Sequence, residues 1–124
     1  MHPFFNISAL LILCTILTSC TKKPQGKYVG IFSTLLYEFQ FSKDGTVTQQ
    51  DMRNRENFFK GTWETYAGEV IASIDSKNGN KTYTSYFKWS EDKRDLILTR
   101  FFLTSKVGKN GKHFLKEPAI FRQR

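Results

Sequence analysis

The amino-acid sequence predicts an all-β fold, a small antiparallel meander barrel of about seven to eight strands. Apolar and polar residues alternate with a period of two over most of the chain after residue 26. Turn-forming Gly, Asn and Asp residues separate these segments at the roughly 8–12-residue spacing of barrels and sandwiches. Outside the first twenty residues, no helical pattern extends over ten residues. A barrel is favoured over the alternative, a β-sandwich, because closure leaves no strand edge exposed.

The first half of the predicted domain contains the clearest strands. Leu35–Phe41 places one leucine and three aromatic residues on one face. Residues 42–45 (Ser-Lys-Asp-Gly) are a hairpin signal, and residues 46–50 are a returning strand rich in β-branched side chains. Residues 51–57 are polar and predict a loop, after which Phe58–Tyr66 resumes the alternation.

The second half continues the pattern. Turn signals at 67–68, 76–80, 91–94 and 107–112 bound four further predicted strands, at residues 70–74, 83–89, 96–103 and 119–124. The segment 96–103 is apolar on both faces except for Arg100, which predicts a central or curled strand. Strict alternation places Arg100 on the same face as Leu96 and Leu98.

The N-terminal residues resemble the leader of a bacterial lipoprotein. Residues 7–17 form an apolar run of eleven, the length of a signal-peptide core and too short to span ~30 Å of hydrocarbon. The run ends in Leu17-Thr18-Ser19-Cys20, an aliphatic residue, two small residues and a cysteine, which resembles the lipobox. The resemblance implies a signal peptide over residues 1–19 and a covalent lipid on Cys20, so that residues 20–26 are a lipidated tether. The length and the strand pattern of the rest predict a single β domain over residues 27–124.

The lipobox also implies a location in the cell envelope. Thr21 follows the cysteine, in place of the aspartate that resembles an inner-membrane retention signal. In a Gram-negative organism this implies the periplasmic face of the outer membrane. In other bacteria it implies the outer face of the cell membrane.

A weaker resemblance covers residues 26–75. Its motifs are Gly26-Lys27-Tyr28-Val29-Gly30, Lys43-Asp44-Gly45-Thr46 and Gly61-Thr62-Trp63. Together they resemble the small lipocalin-like barrels of outer-membrane lipoproteins, including the N-terminal domain of the copper-homeostasis and adhesion-sensing lipoprotein. That family has a Cys-x-x-Cys motif after its first strand, where this chain has Ser33-Thr34-Leu35-Leu36. Metal and redox chemistry are therefore not implied.

Charge is concentrated near the C-terminus of a chain whose formal net charge is +8. From residue 100 onward there is one acidic residue, Glu117, and there are seven basic ones: Arg100, Lys106, Lys109, Lys112, Lys116, Arg122 and Arg124. Such a segment predicts a basic face for an acidic envelope component, namely anionic lipid, cell-wall polymer or an acidic protein. The alternative is a solvated surface without a partner. Nucleic acid is not expected as a partner of an exported protein.

The sequence contains no recognisable catalytic or metal-binding constellation. Cys20 is the only cysteine outside the leader and is expected to be lipidated, while His113 is the only histidine there. These residues cannot form a catalytic nucleophile next to a general base. They also cannot form a metal site of several imidazole and thiolate ligands. We therefore expect a protein that is not an enzyme and that has no cofactor besides the lipid.

Aromatic residues offer one candidate for a ligand site inside the barrel. Four inward-facing positions could form a ligand wall or simply fill the core: Phe59, Trp63, Phe87 and Trp89. Three functions remain open at this stage. The first is a non-enzymatic binding or structural module that presents the basic face, and the alternatives are a lipocalin-like carrier of a small ligand and an inhibitor of an envelope-acting hydrolase.

Overall fold

The computed structural model of the chain describes residues 21–105 and 111–124, with the backbone alone over 112–116. This part of the chain contains eight β-strands: β1 (Gly26–Phe32), β2 (Leu35–Phe41), β3 (Thr46–Asp51), β4 (Phe58–Tyr66), β5 (Glu69–Asp75), β6 (Lys81–Trp89), β7 (Leu96–Ser105) and β8 (Gly111–Gln123). The predicted leader and Cys20 lie outside the described residues.

The strands form a closed antiparallel meander barrel. Each strand pairs with its neighbour in sequence, and β1 closes the sheet by pairing with β8. At the closure, Tyr28 faces Gln123 and Val29 faces Arg122. The predicted meander barrel is therefore confirmed, and the sandwich alternative is wrong because the sheet has no open edge at which to divide. The eight described strands all lie between Gly26 and Gln123.

Alternate residues of the strands point inward and pack into an aromatic-rich core. Phe39 lies at its centre, with ring centroids 5.3 Å from Phe87 and 5.2 Å from Phe121, both edge to face. Fully or almost fully buried residues complete the core: Tyr28, Phe41, Val47, Val70, Ala72, Ile74, Leu96 and Leu98. Burial of each of these side chains that is as large as valine stabilises the fold by about 1.5–3 kcal/mol relative to an exposed one.

The two ends of the barrel differ. The closed end contains residues 21–25 and the β2–β3, β4–β5 and β6–β7 turns. Two indole rings pack against the core there: Trp63 Nε1 donates to the Ser42 carbonyl at 2.8 Å, and Trp89 Nε1 donates to the Lys22 carbonyl at 2.9 Å. The mouth is the opposite end, formed by the β1–β2 turn, the β3–β4 loop and the β5–β6 turn.

A β-bulge in β7 exchanges the side chains that point into the barrel and those that point outward in the second half of the strand. Leu98 pairs with Phe87 and faces the core, but the register with β6 then shifts, so that Arg100 pairs with Tyr86. The extra residue, Thr99, breaks the strict alternation expected from the sequence. Arg100 consequently lies on the outer surface and Phe101 faces the interior. This arrangement avoids burying a guanidinium group in an aromatic core.

Strand β8 is longer than the sequence pattern predicts. Only residues 119–124 were expected to be a strand, whereas β8 begins at Gly111. Its register with β7 is irregular: Leu98 pairs with Ala119 and Arg100 pairs with Phe114, so two positions on β7 span five on β8. Pro118 lies inside this irregular stretch, where the missing backbone N–H interrupts no regular ladder.

Candidate functional site

A cavity of about 430 Å³ occupies the half of the barrel nearest the mouth. Ser33 of the β1–β2 turn and Asn57 of the β3–β4 loop line it, which places its opening at the mouth. Phe39, Leu98 and Phe121 belong both to the buried core and to the lining, so they form its floor. The barrel is thus filled by its own side chains at the closed end and hollow at the other.

One side of the cavity is apolar. The residues on this side come from β1, the first position of β2, β7 and β8: Phe32, Leu35, Leu98, Phe101 and Phe121. Phe32 and Phe101 meet edge to face with centroids 5.3 Å apart. The bulge at Thr99 is what brings Phe101 into this wall, since strict alternation would have placed Arg100 there.

The facing wall, formed by Tyr37 of β2, by β3 and by the β3–β4 loop, is polar. Tyr37 on β2 and Asp51 on β3 lie directly opposite each other in the register. Gln49 lies two residues before Asp51 and pairs with Phe59 on β4. Tyr37, Gln49, Asp51 and Asn57 all line the cavity. The cavity therefore has one apolar side and one side with hydrogen-bonding groups.

Asp51 is the charged residue of the polar wall and is 5% exposed. Its Oδ1 accepts the backbone N–H of Arg53 at 2.9 Å and of Asn54 at 3.4 Å. The Arg53 N–H is the main cause that lowers the pKa of Asp51, and the Asn57 side chain adds to it, against an opposing effect of burial. Asp51 is therefore an ionised carboxylate at neutral pH, held in place by its own loop.

Neutral hydrogen-bonding groups lie beside Asp51. Burial is the first cause that raises the pKa of Tyr37, and the negative charge of Asp51 is the second. The Tyr37 hydroxyl therefore remains protonated and can donate a hydrogen bond. Among the described residues, the side chains of Tyr37, Gln49 and Ser85 have no hydrogen-bond partner. These three groups are available to a ligand.

The four aromatic residues expected to form a ligand wall are distributed over the whole barrel. Phe59 lines the cavity. Phe87 is fully buried in the core, and Trp63 and Trp89 pack at the closed end. The sequence did contain a signal for the polar wall that was overlooked. Val47, Gln49 and Asp51 share the inward face of β3, and two polar residues at core positions of a strand indicate a functional site.

The basic residues near the C-terminus are placed only in part. Arg100 pairs with Glu69, and Arg124 Nη1 lies 3.1 Å from Glu38 Oε2, while Arg122 is exposed. The remaining four lie outside the described residues or have an undescribed side chain: Lys106, Lys109, Lys112 and Lys116. His113 lies opposite Phe101 in the β7–β8 register, and its side chain is likewise outside the described residues.

Within residues 21–105 and 111–124, no helix is long and apolar enough to cross a membrane. The same ranges contain no group of three or more His, Cys, Asp or Glu residues that could hold a metal ion. Comparison with models of protein families, with curated proteins and with solved structures finds no match.

Proposed function

We propose that this protein is a lipoprotein of the cell envelope whose barrel holds a small, mainly apolar ligand. The observation that carries the proposal is the cavity at the mouth, whose volume of about 430 Å³ falls within the ~300–1,000 Å³ of ligand sites. An eight-stranded barrel either fills its interior with side chains or leaves room for one small ligand. A mostly apolar lining with a few polar groups is the usual composition of such a site.

The cavity depends on a small residue at one inward-facing position. Ser85 on β6 lies between Tyr83 and Phe87 on the same face and lines the cavity. A large side chain at this position would continue the aromatic packing of the core toward the mouth. The cavity therefore exists because the residue at position 85 is small, and one larger side chain there would fill it.

The packing of residues 22–25 supports an orientation of the barrel. The ammonium group of Lys22 lies 4.7 Å from the centroid of the Trp89 ring, and Pro24 is buried. Cys20 is two residues before Lys22, so a lipid on Cys20 would be attached within about 7 Å of Lys22, which packs against the closed end. We propose that the closed end rests on the membrane and that the mouth faces away from it.

A basic surface at the closed end adds to this proposal. Five basic residues gather where the chain enters β1 and leaves β8: Lys22, Lys23, Lys27, Arg122 and Arg124. Glu38 contacts two of them and offsets one charge. The β6–β7 turn at this end has two basic and three acidic residues and offsets one more, so the surface keeps a net positive charge. Basic residues near an anionic membrane contribute ~1 kcal/mol each, so this surface would reinforce a lipid anchor.

Binding of a fluorescent apolar probe tests the ligand site. The chain from residue 20 onward, with Cys20→Ser, contains all eight strands and can be titrated with phenylnaphthylamine, a neutral probe whose emission rises in apolar surroundings. We expect saturable binding of one probe per barrel. Ser85→Phe should weaken binding at least tenfold, about 1.4 kcal/mol, because the ring fills the cavity.

Ser73→Phe is the matched control. It makes the same substitution on the outer face of the neighbouring strand β5, opposite Thr84 in the register. Binding by this variant should equal that of the parent, and circular dichroism should show the same fold for all three proteins. If the probe does not bind, or if Ser85→Phe binds it as well as Ser73→Phe does, the proposed ligand site is wrong.

A further inference from the structure

We infer that the cavity selects neutral ligands and rejects anionic ones, so that its ligand is an apolar molecule with a hydroxyl, carbonyl or amide group. This inference rests on the proposed function, because it concerns the ligand class of the same cavity. Three features of the polar wall support it: the sign of its fixed charge, the rigidity of that charge and the hydrogen-bonding groups beside it.

The first feature is the sign of the charge. Asp51 is the one charged residue among the fifteen described residues that line the cavity, and it is negative. A ligand carboxylate or phosphate in the cavity would lose its hydration and would meet a second anion instead of a cation. Among the described residues, Arg53 is the cation whose charge acts on Asp51, but its side chain is exposed and is not part of the lining.

The second feature is that the carboxylate is held in place. Two backbone N–H groups of the β3–β4 loop bind Oδ1, and the backbone N–H of Asp51 donates to the Asn57 carbonyl at 3.0 Å. Gln50 strengthens the same loop, since its Nε2 donates to the Arg55 carbonyl at 2.9 Å. Asp51 can therefore neither rotate away from an anionic ligand nor leave the wall without disrupting the loop.

The third feature is the set of neutral polar groups. The Gln49 amide can donate and accept, the Tyr37 hydroxyl can donate, and the Ser85 hydroxyl can do both. The described residues leave all three without a hydrogen-bond partner. A ligand that buried them without bonding to them would incur the cost of unsatisfied polar groups. A ligand with hydroxyl, carbonyl or amide groups satisfies them.

The volume limits the size of the ligand. At ~30 Å³ for a group the size of a water molecule, about 430 Å³ holds roughly fourteen non-hydrogen atoms inside the barrel, and a somewhat larger ligand extends through the open mouth. The apolar wall opposite Asp51 would contact the hydrocarbon part. The ligand class is thus a small neutral amphiphile whose polar group points toward β2 and β3.

A matched pair of probes tests the charge selectivity. Phenylnaphthylamine and anilinonaphthalenesulfonate share one aromatic skeleton, and the second has an added sulfonate at its centre, which is buried whenever the rings are buried. Both are titrated at pH 8 in the same buffer. We expect the sulfonate to bind the cavity at least tenfold more weakly, about 1.4 kcal/mol. Cavity binding is defined as the part that Ser85→Phe removes.

Asp51→Asn assigns the selectivity to the carboxylate. The amide oxygen can still accept the two loop N–H bonds, so the loop is retained while the charge is lost. We expect this variant to bind the sulfonate more tightly relative to the neutral probe, so that the ratio of the two dissociation constants falls toward one. Asp75→Asn is the control, since it removes the same charge from the end of β5 at the mouth but from a residue outside the cavity lining.

The outcomes separate the two proposals. If Ser85→Phe abolishes binding of both probes and the parent binds them equally, the cavity is real and the inferred selectivity is wrong. The inference is also overturned if Asp75→Asn relieves the discrimination as much as Asp51→Asn does, because the effect would then come from overall charge. If neither probe binds in a way that Ser85→Phe removes, the ligand site itself is refuted.

Discussion

Arg100 and Glu69 form a two-pronged ion pair on the outer surface of the barrel. Nη1 of Arg100 lies 2.9 Å from Oε2 of Glu69, and Nη2 lies 3.2 Å from Oε1. The pair joins β7 to β5 across the intervening β6, where the guanidinium carbon lies 4.0 Å from the centroid of the Tyr86 ring. Only the bulge at Thr99 makes this contact possible, because it turns Arg100 outward. The same bulge brings Phe101 into the cavity wall, so the ion pair and the cavity share one structural cause.

The ion pair should contribute measurably to stability. The two side chains are 24% and 18% exposed and bind each other through two hydrogen bonds, so solvent screens them only in part. A double-mutant cycle of Arg100→Met and Glu69→Gln, measured by urea unfolding, should give a coupling free energy of about 1 kcal/mol. The pair of Arg124 and Glu38 is the control. Its arginine is 58% exposed, and its coupling should be at most a few tenths of a kcal/mol. Equal couplings for the two pairs would contradict this account.

Gly61 on β4 should not tolerate a side chain. A Cβ there would lie 1.8 Å from the carbonyl oxygen of Ser73 on β5, a backbone atom that cannot move without disturbing the ladder. Gly61→Ala should therefore destabilise the barrel by about 3 kcal/mol or prevent folding.

Gly68 provides the comparison for Gly61. No atom lies within 4 Å of a Cβ built at Gly68, but its φ is +81°. Gly68→Ala should thus cost only ~1–2 kcal/mol, the conformational penalty of that backbone region. Urea unfolding of the two alanine variants measures the difference. If Gly61→Ala lowers the free energy of unfolding no more than Gly68→Ala does, β4 and β5 do not approach each other as closely as described here.

Acid should destabilise the barrel through aspartates in its turns. Their pKa values are lowered in the folded state, chiefly by the Thr46 hydroxyl for Asp44, the Arg53 N–H for Asp51 and the Ser90 hydroxyl for Asp92. The unfolded chain, with carboxyl pKa values near 3.8, then binds more protons than the folded chain. The stabilisation is present above this value and is lost as pH falls below it.

Urea unfolding between pH 7 and pH 2.5 tests this assignment. The free energy of unfolding should be nearly constant down to about pH 5 and should fall below about pH 4. Asp51→Asn should reduce the fall, because one of the three carboxyl groups no longer titrates. If the free energy is the same at both ends of the range, or if the variant follows the parent curve, the loop bonds of Asp51 have been misassigned.

The proposed lipid on Cys20 can be checked by intact mass. The protein extracted from membranes should have the mass of residues 20–124 plus two or three acyl chains. Cys20→Ala should leave an uncleaved or soluble chain, because the thiol that forms the thioether is absent. A cleaved product of Cys20→Ala that still fractionates with membranes would refute the lipobox assignment.

The positions of most strands and turns were predictable because they depend on local patterns. The alternation in Leu35–Phe41 and Phe58–Tyr66 identifies strands whatever their neighbours are, and the residues 42–45 identify a hairpin. The length of β8 was not predictable in this way. Pro118 interrupts the pattern, and only the irregular pairing with β7 shows that the strand continues on both sides of it.

The sequence by itself determined the fold class, the segmentation into strands and the lipobox hypothesis, since alternation, turn residues and a tetrapeptide motif are all properties of neighbouring residues. Only the tertiary structure decided that Arg100 points outward and Phe101 points into the cavity. It also placed Trp63 and Trp89 away from the cavity and paired Tyr37 with Asp51. The physical reason is that a bulge, a register and a cavity depend on which strands pair and on what fills the space between them. One inserted residue exchanges the two faces of a strand, and no local pattern records it.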